Sequence, residues 1–272
     1  MRTNRTKELL KDILPPLILR LLSCLHWGWH GDFSSWDEAK KRSTGYNSSD
    51  ILRKVSEAAL KVKNGKAAYE RDSVLFDHIE YSFPLLSGLM WIAGKNGKLN
   101  VLDFGGSLGS TYFQNRHLLD TLSEVNWCIV EQPEFVNTGN AYFKDYRLHF
   151  FSSIDECIKS YQINVFLLSS VLQYLEKPYV LLEKIIFQKP EFIIIDRTPF
   201  VNGSDRITVQ KVNPKIYKGS YPCWFFNKEK FISAFSSEYD LVIEFDALDI
   251  SNITSEFKGF IFKKIGFEDQ PR

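Results

Sequence analysis

No long apolar run, no excess of one charge and no clustered cysteines appear in this 272-residue sequence. Lys plus Arg (34) and Asp plus Glu (33) nearly cancel, which removes the broad electrostatic basis for gripping nucleic acid or another long polyanion. Cys24, Cys128, Cys157 and Cys223 form no CxxC pair, and the histidines show no ligand spacing. Neither a zinc site nor a disulfide framework is expected, and no metal is assigned. The thiols read as reduced, in a cytoplasmic protein. No internal repeat or low-complexity segment is present. What remains is ordinary globular composition, 44% hydrophobic and 25% charged, in a chain long enough for one domain with an elaboration.

The most apolar stretch, residues 13–22, contains Pro15, Pro16 and Arg20. It falls short of the roughly 20 residues that span a bilayer and has no small-residue cleavage site. A helix docked on the core is expected there. The alternative is peripheral contact with the inner membrane face through an amphipathic helix across residues 9–30, with Trp27 and Trp29 at the interface.

Two regions differ in rhythm. Residues 1–98 read as helical, without a good strand: apolar residues recur at helical spacing over 49–62 and 81–92, before Gly94 and Gly97 break the pattern. They are expected to form a cap that contributes to acceptor binding. From Leu99 to the end at Arg272, short apolar runs alternate with helix-compatible stretches: 101–102, 127–130, 148–151, 165–168 and 192–195. That alternation predicts buried parallel strands joined by crossover helices. A long connection with Pro199, Gly203, Pro214, Gly219 and Pro222 follows, then a helix over 228–236 and two closing strands, 241–245 and 259–262. The link between those two suits an antiparallel pair. The expected fold is α/β, a Rossmann-like, mostly parallel seven-stranded sheet with an antiparallel last strand.

The first of these strands ends in Asp103 and runs into Phe104-Gly105-Gly106-Ser107-Leu108-Gly109, a turn in which backbone can approach a nucleotide-like ligand. The dinucleotide pattern GxGxxG fails, because its first glycine would fall on Phe104. Asp103 would also repel a pyrophosphate. No GxxxxGK[ST] loop occurs, which argues against nucleotide hydrolysis. S-adenosylmethionine (SAM) has no phosphate and carries an ammonium and a sulfonium, which the same carboxylate favours. The second strand ends in Glu131, about 20 residues past the loop, where a carboxylate can take two ribose hydroxyls. Gln132, Ser152 and Ser169, each beside a strand end, complete the expected cofactor set with Asp103, Gly105, Gly106, Ser107, Gly109 and Glu131.

The run from Asp103 to Gly109 resembles motif I of class I SAM-dependent methyltransferases, and Glu131 resembles their acidic residue after the second strand. Ser107 departs from that motif, which has glycine there. More narrowly, Tyr69-Glu70-Arg71-Asp72, Leu102 to Gly109, Val130-Glu131-Gln132-Pro133 and Leu168 to Leu175 together resemble a methyltransferase family often encoded in bacterial surface-polysaccharide gene clusters. That resemblance implies methylation of a sugar or glycan intermediate, with S-adenosylhomocysteine (SAH) as product. Small-molecule or lipid methylation, and a SAM-binding module without activity, are the other readings.

Methyl transfer needs alignment, and a hydroxyl acceptor also needs a general base. Asp196, at the end of the fifth strand beside Arg197, is one candidate base, and His78, in the helical region, is the other. Gln173 and Tyr174, after the fourth strand, are expected to line the acceptor pocket. Residues 220–226, Ser-Tyr-Pro-Cys-Trp-Phe-Phe, suit either stacking on a sugar face or core packing.

Overall fold

The computed structural model describes residues 27–45, 48–94 and 97–267. The apolar stretch 13–22 lies outside the described residues, as does most of 9–30. Strand β1 (Gly28–Phe33) comes first, followed by helices α1 (Trp36–Lys41) and α2 (Ser48–Lys63). Ser35 caps α1 by accepting from the Glu38 N–H, and Glu38 reaches back to the Ser34 N–H, so two otherwise orphaned donors are satisfied. A small antiparallel hairpin follows, β2 (Tyr69–Arg71) and β3 (Val74–Phe76), turning through Asp72 and Ser73 at positive φ. Helix α3 (Phe83–Ala93) ends at Gly94, where its pattern breaks.

These three strands correct the reading of 1–98 as helical. β1 holds two glycines and pairs irregularly, and β2 and β3 have three residues each, too few for a period to show. Trp29 is half-buried. Its Nε1 donates to the Cys223 Sγ (3.2 Å) and its ring packs on Phe225 and Phe257. Among the described residues, no helix is long and apolar enough to cross a membrane.

The chain then alternates strand and helix: β4 (Lys98–Phe104), α4 (Ser110–Leu119), β5 (Glu124–Val130), α5 (Pro133–Tyr142), β6 (Leu148–Phe151), α6 (Ile154–Ser160), β7 (Val165–Ser169), a 3-10 turn (Leu172–Tyr174), α7 (Pro178–Phe187) and β8 (Phe192–Val201). The connection expected after Asp196 is instead sheet. β8 runs through Pro199, and β9 (Arg206–Lys211) and β10 (Ser220–Asn227) follow. Proline within β8 and β10 is what disguised them. After α8 (Lys228–Ser233), β11 (Tyr239–Asp246) and β12 (Glu256–Lys264) close the chain as an antiparallel pair.

The central order is β6-β5-β4-β7-β8-β12-β11, parallel from β6 to β8, with β12 antiparallel to β8. This is the Rossmann-like seven-stranded plan expected from the sequence. Strands β10, β9 and β1 extend it by pairing β10 with the last two residues of β8. Alternate residues of each central strand enter separate cores. Leu99, Val101, Trp127, Ile129, Val165, Leu167 and Ile194 pack on one face; Leu102, Cys128, Val130, Phe166, Leu168 and Ile195 pack on the other. Each such side chain contributes about 1.5–3 kcal/mol relative to exposure, so the strands are held on both faces and their carboxyl ends share one edge.

Candidate functional site

At that edge, the loop from β4 to α4 alternates into the left-handed region at Gly105 (φ 73°), Ser107 (φ 56°) and Gly109 (φ 97°). Asp103 lies beneath it, 1% exposed, and accepts from the Trp127 Nε1 at 2.9 Å. Gly106 is required above it, since a Cβ there would stand 2.4 Å from the Asp103 Oδ2. Burial raises the Asp103 carboxyl to about 7; the Trp127 bond opposes this, and the charge of Glu131 adds to it. Asp103 therefore shapes the loop from below instead of standing on its open side.

Glu131 follows β5 and is partly exposed. It accepts from the Gln132 N–H at 2.8 Å and from the Ser107 N–H, and burial raises its carboxyl. The left-handed turn at Ser107 is thus what links the loop to Glu131, and this position departs from the expected glycine without losing its conformation. The cost of αL for a non-glycine residue is about 1–2 kcal/mol. The Gly105 N–H donates to the Val130 carbonyl (2.9 Å), fastening the loop to β5. Gln132 and Ser152 are exposed at the starts of α5 and α6, and the Ser152 N–H donates to Glu156.

One strand further across, Ser169 and Asp196 face each other, with the Ser169 Oγ donating to the Asp196 Oδ2 at 3.3 Å. Asp196 is 2% exposed, and its Oδ1 has no partner among the described residues. Burial pushes its carboxyl up to about 6 against the opposing charge of Arg197. Arg197 sits at φ 53° and turns its guanidinium away, giving two bonds to Asp249 (2.8 and 2.9 Å) and one to Asp72 (3.1 Å). Ser170 is also left-handed, at φ 54°. Left-handed backbone thus recurs after β4, after β7 and in β8 just past its parallel pairing with β7, as functional edges often require.

A narrow cleft with about 20 Å³ of free space lies between this edge, α4 and the β2–β3 hairpin. Its lining includes Tyr69, Arg71, Thr111, Gln114, Ser169, Asp196 and Arg197. The sequence-predicted Ser169 and Asp196 come together here. His78 does not line it: its side chain is 76% exposed and bonds Asp77 beside it (2.7 Å). Tyr174 packs edge-on against Tyr221 (5.3 Å between ring centres), and burial holds its phenol well above the ordinary range, hence protonated. Gln173 is buried and donates to the Ser170 Oγ and the Arg197 carbonyl, a support for the strand ends.

In the 220–226 segment core packing prevails. Phe225 and Phe226 are fully buried, while Trp224 stacks on Trp36 and donates to the Leu175 carbonyl. Sequence reasoning did not assign roles to Arg71, Glu70 or Asp249. Glu70, buried on the other face of β2, accepts from the Ser110 Oγ and the Ser73 N–H, tying the hairpin to the start of α4. Burial raises its carboxyl to about 7. Among the described residues no group of three or more His, Cys, Asp or Glu could hold a metal ion.

No protein-family model matches the chain, and no curated protein matches it in sequence. Among solved structures it is similar to the N-terminal domain of EvdMO1, determined in the presence of SAH and D-fucose. That match has 11% identity and a TM-score of 0.48, covering 80% of this chain and 97% of that one. It is similar to LepI in complex with SAM (11%, TM-score 0.45), covering 67% of this chain but only 47% of LepI, about half of its length. The glycopeptide N-methyltransferase MtfA, complexed with sinefungin, matches at 8% and a TM-score of 0.45, covering 65% of this chain and 93% of that one. The fold assignment rests on the strand order described above.

Proposed function

We propose that the chain is a SAM-dependent methyltransferase that methylates a hydroxyl of a sugar or glycan intermediate in surface-polysaccharide biosynthesis. The observation that carries the reading is a glycine loop tied to Glu131 through the Ser107 N–H, on the same carboxyl edge of the sheet where the buried carboxylate Asp196 lines a cleft and keeps Oδ1 without a partner among the described residues. The loop fits SAM better than a phosphate cofactor, because Glu131 accepts from its Ser107 N–H and Asp103 lies directly beneath Gly106, so carboxyl groups and no cation flank it among these contacts. Residues Gly105 to Gly109 and Glu131 would hold the nucleoside part, with Gln132 and Ser152 at its rim. When bound, SAM supplies a methyl carbon on a sulfonium. Residues before Leu99 cap the cleft through Tyr69 and Arg71. The glycan assignment draws on the sequence resemblance of 69–72, 102–109, 130–133 and 168–175.

Asp196 is the base in this reading. Its carboxyl, raised to about 6, is ionised at neutral pH yet basic enough to take the proton of an acceptor hydroxyl at Oδ1. Ser169 keeps Oδ2 occupied and so orients the group. Calorimetry with SAH, followed by methyl transfer from labelled SAM to nucleotide sugars and lipid-linked glycans, tests the assignment. Asp196→Asn is expected to lower kcat by about 10²- to 10⁴-fold with SAH affinity kept. The wild-type rate is expected to rise with pH through about 6, as the carboxylate forms. Failure to bind SAH overturns the reading. Binding without transfer to any glycan favours another acceptor or an inactive SAM-binding module.

A further inference from the structure

We infer that Arg71 anchors a carboxylate in the cleft, namely the α-carboxylate of the cofactor's amino-acid part; this rests on the SAM reading above. Strand β2 alternates, so Tyr69 and Arg71 line the cleft while Glu70 points to Ser110 on the other side. Two cations line that cleft, and they differ in what they already hold. Arg197 is neutralised by Asp249 and Asp72, at 2.8 to 3.1 Å. Arg71 has a single longer ion pair, 3.4 Å to Glu80, an acid that is itself 46% exposed, and lies over the Phe76 ring at 5.7 Å. A guanidinium offers five N–H donors in a planar fork, so most of the Arg71 fork remains for a ligand.

The surroundings determine what that ligand is. Glu131 and Asp196 stand at the strand edge as carboxylates, which suits an ammonium or sulfonium and opposes an anion. A zwitterionic amino-acid group therefore needs one cation placed for its carboxylate. Arg71 shares its wall of the cleft with Thr111 and Gln114, on the helix that the glycine loop opens, which is the cofactor side of the edge. Gln114 also donates to the Glu80 carbonyl, so the acid that steadies Arg71 is fixed to the same helix.

The test compares binding of SAH with binding of 5′-methylthioadenosine, which keeps the nucleoside and sulfur but lacks the amino-acid part. Arg71→Met preserves the stem that packs on Phe76. It is expected to weaken SAH about 10- to 100-fold while leaving 5′-methylthioadenosine within about two-fold. Arg71→Lys should fall between, since a point charge replaces the fork. An equal loss for both ligands, or no loss for either, overturns the inference, as does unchanged SAH binding with a raised KM for an acidic acceptor. If the wild-type protein binds neither ligand, the SAM reading itself fails and takes this inference with it.

Discussion

Asp103 and Trp127 show how one buried contact can set the shape of a loop. The Asp103 carboxyl reaches about 7 because burial outweighs the single bond from the Trp127 indole. Trp127→Phe keeps most of the packing and removes the donor. It is expected to cost about 1–3 kcal/mol in thermal unfolding. The deficit should be larger at pH 8 than at pH 5, because the lost bond serves the ionised form, and that form predominates only above about 7. A pH-independent deficit would show that lost packing, not the bond, causes it. Asp103 and Glu131 were readable from sequence because a carboxylate closing an apolar strand is a local pattern. Trp127 as the partner of Asp103 was not, since the two meet only across paired strands β4 and β5.

At the scale of elements, close packing decides which glycines can be replaced. A Cβ on Gly106 would meet the Asp103 Oδ2 at 2.4 Å and its Cγ at 2.5 Å, and Asp103 is held in place by Trp127. On Gly88, within α3, a Cβ would meet the Ile261 Cδ1 at 2.3 Å, the tip of a side chain that can change rotamer. Gly106→Ala is therefore expected to weaken SAH binding more than about ten-fold. Gly88→Ala should stay within about 1 kcal/mol of wild type in denaturant unfolding, helix propensity offsetting part of the crowding. Strands β4 to β8 and the closing hairpin were legible because burial on both faces writes continuous apolar runs. Strands β1, β9 and β10 were not: glycine in one, proline in another and pairing to distant partners leave no period to follow.

Over the whole molecule, Arg197 joins three parts far apart in sequence: the turn of the β2–β3 hairpin through Asp72, the middle of β8, and the link from β11 to β12 through Asp249. Arg197→Met should leave two facing carboxylates without their cation and loosen the cap without melting the sheet. Hydrogen exchange is expected to speed up in 69–76 and 247–252, with β4, β5 and β7 unchanged; uniform protection across the chain would refute a clasp. The sequence alone determined the α/β class, the glycine loop, the acidic ends of the first two parallel strands and the antiparallel close, because each is written in neighbouring residues by burial and turn chemistry. Only the tertiary structure decided that a buried Asp196 oxygen has no partner among the described residues, that Arg197 is held by two carboxylates while Arg71 has one longer ion pair, and that His78 faces solvent. Those properties depend on which distant side chains reach the same cleft, and no local spacing encodes them.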